Sequence, residues 1–546
     1  MKVNINQRWP IVILIVSALI FFYVYSSLAF YYIQKDISQN LIFNSPDETA
    51  NYYFAYNFYK HSQLQFNDPA NALAEGLISP RSMMVIEGQT VPVSFVGLPL
   101  IAGLAAVALG PSAIFFIVPF FSCLSVIFFY LLLKEFFSHQ TSWLAAMFLL
   151  IQPAWWYYSV KGLVPNVLFL SFLIMAFFFL VKSIKSGKIR FYLLFGLFFG
   201  LSLIVRTSEI TWLLPLLFIL IIINWRRVSW PGIVLSGLIS MAAYSPVIYF
   251  NYQNFHSFFS FAYAADLQLT GKNILSQGLN VFEKIILPFG FHPRTALISF
   301  YNYSFKIFPV WSALSVIGLL IFSCLAFVRK EKAQIIYVIL FLFISGYLVL
   351  YYGSWVFNDN PDPFAITIGN SYVRYWLPIY VLALPFLTDA LWQIFKKSKL
   401  AMAFLAVTFL VSLASMSYGA VYLGRDEGLK ALLFNLKKYE TIQSAVNARI
   451  ESRAIIIADR LDKVFFPRHS VIFRLNNDSD YRRVNQLISG GYPVYYFYFS
   501  RPPSELEELN ERYFKPHNLE VLPSMVDFSE QSLYPVKIWH EQQIFF

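Results

Sequence analysis

The feature that most constrains this chain is a series of apolar segments, most of them about as long as a transmembrane helix. A helix needs roughly 20 apolar residues to cross the hydrocarbon core of a bilayer. Only 13% of the residues are charged, against roughly a quarter in soluble proteins, and the mean hydropathy is +0.57. The sequence therefore predicts an integral membrane protein and excludes a water-soluble enzyme. The apolar segments are 10–33, 92–109, 112–133, 141–160, 163–182, 190–205, 209–223, 231–250, 307–328, 334–352, 374–395 and 400–423.

The charges between these segments predict the orientation of the chain. Short connectors rich in Lys and Arg mark the cytoplasmic side of a membrane protein. The basic N-terminus joins that side only if 92–109, which contains Pro92 and Pro99, does not cross, so we interpret 92–109 as a juxtamembrane or re-entrant helix. The result is an α-helical polytopic protein of the plasma membrane with about 11 spans, a cytoplasmic N-terminus and an extracytoplasmic C-terminus. The basic connectors are 182–190, 226–227, 329–332 and 396–399.

The net charge of +11 lies entirely in the part that contains the spans. Residues 1–423 carry 25 basic and 14 acidic side chains, whereas 424–546 carries 16 of each. Basic connectors explain the excess through topology, so no nucleic-acid partner is predicted.

Two domains are predicted from these patterns. Residues 1–423 form a transmembrane domain with long outer loops at 34–111, 251–306 and 353–373. Residues 424–546 alternate helical patterns with short apolar runs, which predicts a small extracytoplasmic α/β domain. Helices are expected at 432–450 and 502–514, and strands at 454–458, at 493–499 and around Val521 and Val536.

An acidic pair in the first outer loop is the leading catalytic candidate. Ser45, Pro46 and Glu48 have the spacing of a helical capping box, which explains Glu48 without any catalytic role. Asp47 is explained less well by capping. A helix start at the membrane surface also holds a carboxylate rigidly, as a general base requires.

Cations near predicted outer helix ends are candidates for binding an anion. Lys161, Arg206, Arg294 and Arg374 fall there, and arginine suits bidentate binding of phosphate. Three structural alternatives remain open: Arg206 pairs with Glu209, the cations reach up to the membrane surface, or they anchor anionic lipid.

No metal site is predicted. The seven histidines show no ligand spacing, and neither of the two cysteines lies in a thiolate metal motif. A divalent metal held by Asp47 or Glu48 is conceivable, but no motif supports it.

Several short motifs together resemble the GT-C superfamily of membrane glycosyltransferases. The most similar branch contains the protein O-mannosyltransferases and the aminoarabinose transferase of lipid A. The resemblance rests on the acidic pair, on the sequence Pro80-Arg81, on the stretch 92–97 that leads into a juxtamembrane helix, and on the Arg374-Tyr375 start of a late span.

The resemblance implies transfer of a sugar from a polyprenyl-phosphate donor to an acceptor hydroxyl on a lipid, glycan or protein. Asp47 then matches the general base of a single, inverting displacement, and Arg206, Arg294 and Arg374 stabilise the leaving phosphate. The chain departs from many relatives at Pro165-Asn166, where they have an acidic residue. The expected substrate-binding residues are Glu48, Arg81, Lys161, Asn166, Arg206, Glu209, His292, Arg294, Arg374 and Tyr375.

Two other functions are kept as alternatives. One is a transporter or flippase of lipid-linked sugars, although the inverted repeats typical of transporters are not evident in the sequence. The other is a non-catalytic membrane scaffold that presents the C-terminal domain.

Overall fold

The chain forms two compact units in a computed structural model. The first unit comprises Met1–Tyr31, Phe115–Val247 and Gly271–Leu432, and the second comprises Tyr32–Ile114, Ile248–Thr270 and Leu433–Phe546. Lys2, the connector residues 396–398 and residues 259–285 of the predicted loop 251–306 lie outside the described residues. The described residues are 8–35, 37, 40–258, 286–357, 359–360, 362, 364–395 and 399–539.

Helices make up most of the described chain, and short strands fall in the second unit. The helices are α1 (Arg8–Tyr25), α2 (Ser27–Ile33), α3 (Pro46–His61), α4 (Asn71–Ala74), α5 (Gly97–Leu109), α6 (Ala113–Leu133), α7 (His139–Ile151), α8 (Pro153–Lys161), α9 (Pro165–Ser186), α10 (Ile189–Val205), α11 (Ile210–Ile223), α12 (Trp230–Phe255), α13 (Pro293–Phe300), α14 (Pro309–Arg329), α15 (Lys332–Gly353), α16 (Ser371–Tyr375), α17 (Leu377–Phe395), α18 (Lys399–Tyr422), α19 (Leu429–Asn447), α20 (Asp462–Phe465), α21 (Asp478–Ser489) and α22 (Pro503–Leu509). The strands are β1 (Phe66–Asn67), β2 (Met83–Ile86), β3 (Gln89–Pro92), β4 (Ile455–Ile457), β5 (Ser470–Ile472), β6 (Val494–Phe499), β7 (Leu519–Val521), β8 (Val526–Asp527) and β9 (Gln531–Ile538).

Six helices of the described chain are long and apolar enough to cross a membrane, or eight candidates if each of two bent helix pairs counts as one span. These six correspond to α6, α9, α12, α14, α15 and most of α18. An integral membrane protein is therefore confirmed, whereas the predicted number of about 11 spans stays a prediction.

Two predicted spans are broken in the structure. The predicted span 10–33 is divided into α1 and α2, which bend by 45°. The bend of 117° between α10 and α11 instead lies between two segments that the sequence predicts separately, 190–205 and 209–223. The predicted span 141–160 is interrupted at Gln152, whose extended backbone (φ −64°, ψ 124°) separates α7 from α8. Pro153 at the start of α8 explains this break, because the residue before a proline is pushed out of the helical region.

Two glycines let helices of the first unit approach closely. A Cβ at Gly196 would lie 2.4 Å from the carbonyl oxygen of Ser236, and one at Gly200 would lie 2.7 Å from that of Ser240. The Ser240 hydroxyl donates to the Gly196 carbonyl at 2.9 Å. Small residues spaced in this way allow α10 and α12 to pack closely, as they do between transmembrane helices in general.

Within the second unit, the predicted loop 34–111 is built around α3 and α5. Gly103 of α5 packs so closely on α3 that a Cβ there would lie 2.9 Å from the Phe58 ring. At 13 residues, α5 is about 20 Å long, which is shorter than the roughly 30 Å of a bilayer core. Beside these helices, β1, β3 and β2 form a small antiparallel sheet in that order.

The C-terminal residues form the expected α/β arrangement. Their sheet has the order β5-β4-β6-β9-β7, with β8 paired to β9. The pairs β4–β5 and β4–β6 are parallel, and the pairs with β9 are antiparallel. All four expected strands and both expected helical stretches are present, the second continuing from α22 into a π-helical turn at Asn510–Phe514. Strand β5 and helix α21 were not expected from the sequence.

The hydrophobic core of this sheet includes residues of the first outer loop. Ala70, Ala74 and Ile78 are all at most 3% exposed and pack with Ile455 and Ile472. Ser79 also forms a parallel bridge to Ile472. The loop and the C-terminal residues therefore share one core, and the predicted domain boundary at 423 stays a prediction.

Candidate functional site

Helix α3 presents the acidic pair at its N-terminus, as predicted. Ser45 has the extended backbone of an N-cap (φ −121°, ψ 144°) and Pro46 occupies the first helical position. The predicted capping box is nevertheless wrong in one part, because the Ser45 side chain makes no capping hydrogen bond. The helix start relies instead on the fixed φ of Pro46 and on the favourable placement of Asp47 and Glu48 at the positive end of the helix dipole.

The two carboxylates have different surroundings. Glu48 is 1% exposed, whereas Asp47 is half-buried. The Ser82 hydroxyl donates a hydrogen bond of 2.7 Å to Oδ1 of Asp47. Ser82 lies just before β2 and has a φ of +63°, a strained conformation for a residue with a side chain. Asp47 is therefore the member of the pair that combines partial access to solvent with a fixed orientation.

An aromatic cluster holds α3 against the C-terminal residues of the same unit. The Tyr53 ring lies 4.8 Å from Phe66 and 4.9 Å from Phe466, centroid to centroid. Burial, and to a smaller extent the charge of Asp68, raise the pKa of Tyr53 to about 12. The phenol therefore stays neutral and serves packing.

Arg81, a predicted substrate-binding residue, makes an ion pair within the second unit. Its Nε and Nη2 donate to Oδ1 of Asp462 at 3.0 and 2.7 Å, and its backbone N–H donates to Oδ2 at 2.7 Å. The Asp462 side chain is fully buried. Sequence reasoning missed Asp462, because an isolated acidic residue in a small α/β domain carries no signal for a partner 381 positions away.

In the first unit, Arg206 and Glu209 occupy the sharp corner between α10 and α11. They form a buried ion pair of 2.7 Å, with side-chain exposures of 5% and 3%. Tyr352 joins them, since its hydroxyl lies 2.9 Å from Nη2 of Arg206 and donates to Glu209 at 2.6 Å. Trp212 donates to the other Glu209 oxygen at 2.6 Å. The pairing of Arg206 with Glu209, which the sequence left open as an alternative, is present.

Tyr375 links this pair to a second arginine. The guanidinium carbon of Arg206 lies 4.9 Å from the centre of the Tyr375 ring, and that of Arg374 lies 5.2 Å from it. Tyr352 stacks on the same ring at 4.4 Å. Arg374 is half-buried and donates to the Ser371 hydroxyl at 2.9 Å. Two cations thus share one aromatic ring, an arrangement that an anion would stabilise.

Asn166 of α9 contacts this cluster, and Lys161 ends the preceding helix, α8. The Asn166 side chain donates to the Arg374 carbonyl at 3.1 Å, and its Oδ1 has no hydrogen-bond partner among the described residues. Lys161 is 8% exposed, and its Nζ lies 5.8 Å from the centre of the Tyr157 ring. Tyr157 in turn donates to the Glu427 carbonyl at 2.8 Å.

His292 and Arg294 stand at the start of α13, and both are exposed. The backbone N–H of His292 donates to the Ser354 hydroxyl at 3.1 Å. Arg294 therefore lies at an exposed helix start, whereas Arg206 and Arg374 share the Tyr375 ring. Of the predicted residues, the structure thus brings together Arg206, Glu209, Arg374, Tyr375 and Asn166. Tyr352 also belongs to this cluster and was not predicted. The aromatic residues at the end of the apolar segment 334–352 could have indicated it as a candidate.

Asp47 belongs to the second unit, and Arg206, Arg294 and Arg374 belong to the first. Their grouping in one catalytic site, which the sequence predicts, therefore stays a prediction. No group of three or more His, Cys, Asp or Glu side chains suited to a metal occurs within the ranges that the structure describes.

Comparison with known sequences gives one family match. A sequence model of the family described as dolichyl-phosphate-mannose-protein mannosyltransferase matches residues 95–250. No curated protein sequence matches the chain. The matched stretch contains Asn166, Arg206 and Glu209 but neither Asp47 nor Arg374.

Comparison with solved structures gives matches over most of the chain. ArnT from Cupriavidus metallidurans bound to undecaprenyl phosphate is 11% identical, with a TM-score of 0.53 over 96% of this chain and 97% of that chain. The oligosaccharyltransferase from Archaeoglobus fulgidus, tethered with an acceptor peptide containing the NVT sequon, is 12% identical, with a TM-score of 0.51 over 90% of this chain and 69% of that chain. The archaeal oligosaccharyltransferase AglB from the same organism, in complex with an inhibitory peptide and a dolichol-phosphate, is 11% identical, with a TM-score of 0.50 over the same shares. At these identities the likeness establishes the fold.

Proposed function

We propose that this chain, an integral membrane protein with the GT-C fold, is a glycosyltransferase that moves a sugar from a polyprenyl-phosphate donor to an acceptor hydroxyl. The observation that carries the proposal is the match of residues 95–250 to a mannosyltransferase family that uses a lipid-phosphate sugar. The likeness to ArnT bound to undecaprenyl phosphate and to AglB bound to a dolichol-phosphate supports the same donor chemistry.

Asp47 is the proposed general base. Its carboxylate accepts a hydrogen bond from Ser82, which fixes one oxygen, and half-burial leaves the group within reach of an acceptor. As the acceptor oxygen attacks the anomeric carbon, its proton passes to Asp47 and the bond to the lipid phosphate breaks. A single displacement of this kind inverts the anomeric centre. Glu48, which is buried, is assigned to the support of this helix start.

Stabilisation of the leaving lipid phosphate is assigned to cations of the first unit. Arg374 is the first candidate, because it is half-buried beside Tyr375 and its carbonyl is held by Asn166. Arg206 contributes less net charge, since Glu209 already neutralises it. Arg294 is exposed and suits an initial encounter with an anionic headgroup.

The remaining features of the proposal come from the sequence. The positive-inside rule predicts that the N-terminus lies in the cytoplasm. The loop 34–111 and the C-terminal domain are then expected on the outer face of the plasma membrane. The acceptor is a lipid, glycan or protein, and the sugar is a hexose or pentose.

The decisive experiment measures sugar transfer by the purified full-length protein with polyprenyl-phosphate sugars, using mass spectrometry of the product. Replacing the base in Asp47→Asn should lower kcat at least about 100-fold and leave donor binding unchanged. Glu87→Gln, which changes an exposed carboxylate of the same loop, is the matched control and should keep full transfer.

Two results would overturn the proposal. Unchanged transfer by Asp47→Asn would remove Asp47 as the base. Movement of labelled lipid-linked sugar across proteoliposomes, with no glycosylated product from any donor, would instead identify a flippase.

A further inference from the structure

The C-terminal residues contact the chain on both sides of Asp47 through two adjacent side chains. Asp462 and Lys463 begin the short helix α20, and each binds a different segment of the first outer loop. All of these residues belong to the second unit.

The first segment is the one that leads into α3. Nζ of Lys463 donates to the carbonyl oxygen of Asn44, which lies three residues before Asp47. Lys463 also lies 5.2 Å from the centre of the Tyr439 ring, so its ammonium group has an aromatic neighbour on α19. A charged donor fixes the carbonyl more strongly than a neutral donor would.

The second segment is the one that bears Ser82. Asp462 accepts from the backbone and from two side-chain nitrogens of Arg81, at 2.7 to 3.0 Å. Arg81 immediately precedes Ser82, and the Ser82 hydroxyl donates to Asp47 at 2.7 Å. Fixing Arg81 therefore restricts the position of the Ser82 hydroxyl that donates to Asp47 Oδ1.

Helix α20 is itself held firmly. The Gln443 side chain of α19 donates to the Val464 carbonyl at 2.7 Å. Phe466, at the end of α20, packs on Tyr53 of α3 at 4.9 Å. Asp462 is fully buried. Asp462 and Lys463 are thus held in place by the contacts of α20, and both loop segments bind to these two residues.

We propose that Asp462 and Lys463 are positioning residues that set the orientation of Asp47, so that the C-terminal domain takes part in the reaction through the first outer loop. This inference rests on the proposed function, in which Asp47 is the base. A shift of about 1 Å in a catalytic group is enough to cost on the order of 100-fold in rate. A loosened Asn44 or Arg81 should accordingly reduce kcat and leave donor binding alone.

The test compares three lysine variants of the full-length protein. Lys463→Met removes the ammonium group but keeps an apolar stem of similar length. Lys463→Arg keeps a cationic donor, and Lys515→Met makes the same change at a lysine that pairs with Glu511 within the C-terminal domain. The measurements are kcat and KM for a polyprenyl-phosphate sugar, the unfolding temperature in detergent, and hydrogen exchange of the peptide that covers residues 44–50.

Lys463→Met should lower kcat about tenfold with donor KM unchanged within twofold, and should speed exchange at 44–50. Lys463→Arg should restore most of kcat, and Lys515→Met should match the parent protein. An equal fall in donor binding and kcat, or a kcat for Lys463→Met equal to that of the parent, would overturn the inference.

The exchange measurement separates this inference from the proposed function. If Asp47→Asn retains transfer but Lys463→Met speeds exchange at 44–50, the positional link holds and the assigned base is wrong. If Asp47→Asn is inactive and Lys463→Met changes neither exchange nor kcat, the base stands and the positioning role is wrong.

Discussion

At the scale of single residues, Asp47 and Ser82 show how the chain fixes a carboxylate. A half-buried carboxylate at a helix start accepts one short hydrogen bond from a serine whose backbone is in the left-handed region. A serine gains nothing from a φ of +63°, since this conformation costs a residue with a Cβ roughly 1 kcal/mol. Strain of this kind persists where the surrounding structure requires it, often at functional sites.

We expect Ser82→Gly to distinguish the effect of the Ser82 hydroxyl from the effect of its backbone strain. Glycine adopts a positive φ without a steric penalty, so the free energy of unfolding should change by less than about 1 kcal/mol. Transfer should fall about tenfold, because Asp47 loses the hydrogen bond from Ser82. Thermal unfolding and a transfer assay on the same preparation measure both quantities.

Ser62→Gly is the matched control for this prediction. Ser62 has a φ of +57° at the exposed C-terminus of α3, so the backbone change is the same. Full activity is expected for Ser62→Gly. Equal losses in the two variants would mean that the backbone, and not the Ser82 hydroxyl, is responsible.

At the scale of elements, the corner between α10 and α11 depends on a buried ion pair. The chain bends by 117° there, and the short 3-10 turn Thr207–Glu209 connects the helices. Arg206, Glu209 and Tyr352 bond one another, so the charges are neutralised where water is excluded. Removing one member of a buried pair leaves an uncompensated charge.

We therefore expect Glu209→Gln to lower the free energy of unfolding by about 3–5 kcal/mol. Chemical unfolding in detergent measures the loss. Glu135→Gln is the control, since Glu135 pairs with Lys182 and Lys185, which are 36% and 49% exposed. Such a solvent-exposed pair contributes at most about 1 kcal/mol. A Glu209→Gln protein as stable as the control would show that the corner does not need this pair.

At the scale of the molecule, the first outer loop and the C-terminal residues fold around one core. Ala70, Ala74 and Ile78 pack with strands that lie almost 400 positions later. The ion pair of Arg81 with Asp462 joins the same parts of the chain. The acidic helix α3 and the sheet should consequently unfold together.

Ile78→Ala tests this coupling. Ile78 is 3% exposed, and truncating such a side chain costs about 2–5 kcal/mol through lost burial and a cavity. Limited proteolysis should then cut both the loop and the C-terminal domain faster, in parallel. Leu73→Ala in the neighbouring helix removes a side chain that is 40% exposed and should leave the cutting rates unchanged. Cleavage confined to the loop would contradict the shared core.

Much of this architecture follows from local pattern. The predicted fold class is confirmed, as are the start of α3 at Pro46 and the four expected C-terminal strands. These features depend on periodicity, on proline and on apolar runs, which are written in neighbouring residues. The predicted capping hydrogen bond of the Ser45 side chain is wrong. The reason is that a serine before a proline indicates a helix start but does not fix the serine's own rotamer.

The sequence by itself determined that the chain enters a membrane, because its apolar segments cannot be buried in any other way. The sequence also indicated a candidate general base, since a short local motif is enough to predict a carboxylate at a helix start. Tertiary structure alone decided which partners those residues receive: Ser82 for Asp47, Asp462 for Arg81, and Tyr352 for Arg206. The physical reason is range, because helices form from contacts within four residues, whereas an ion pair joins whichever charges the packed core brings together.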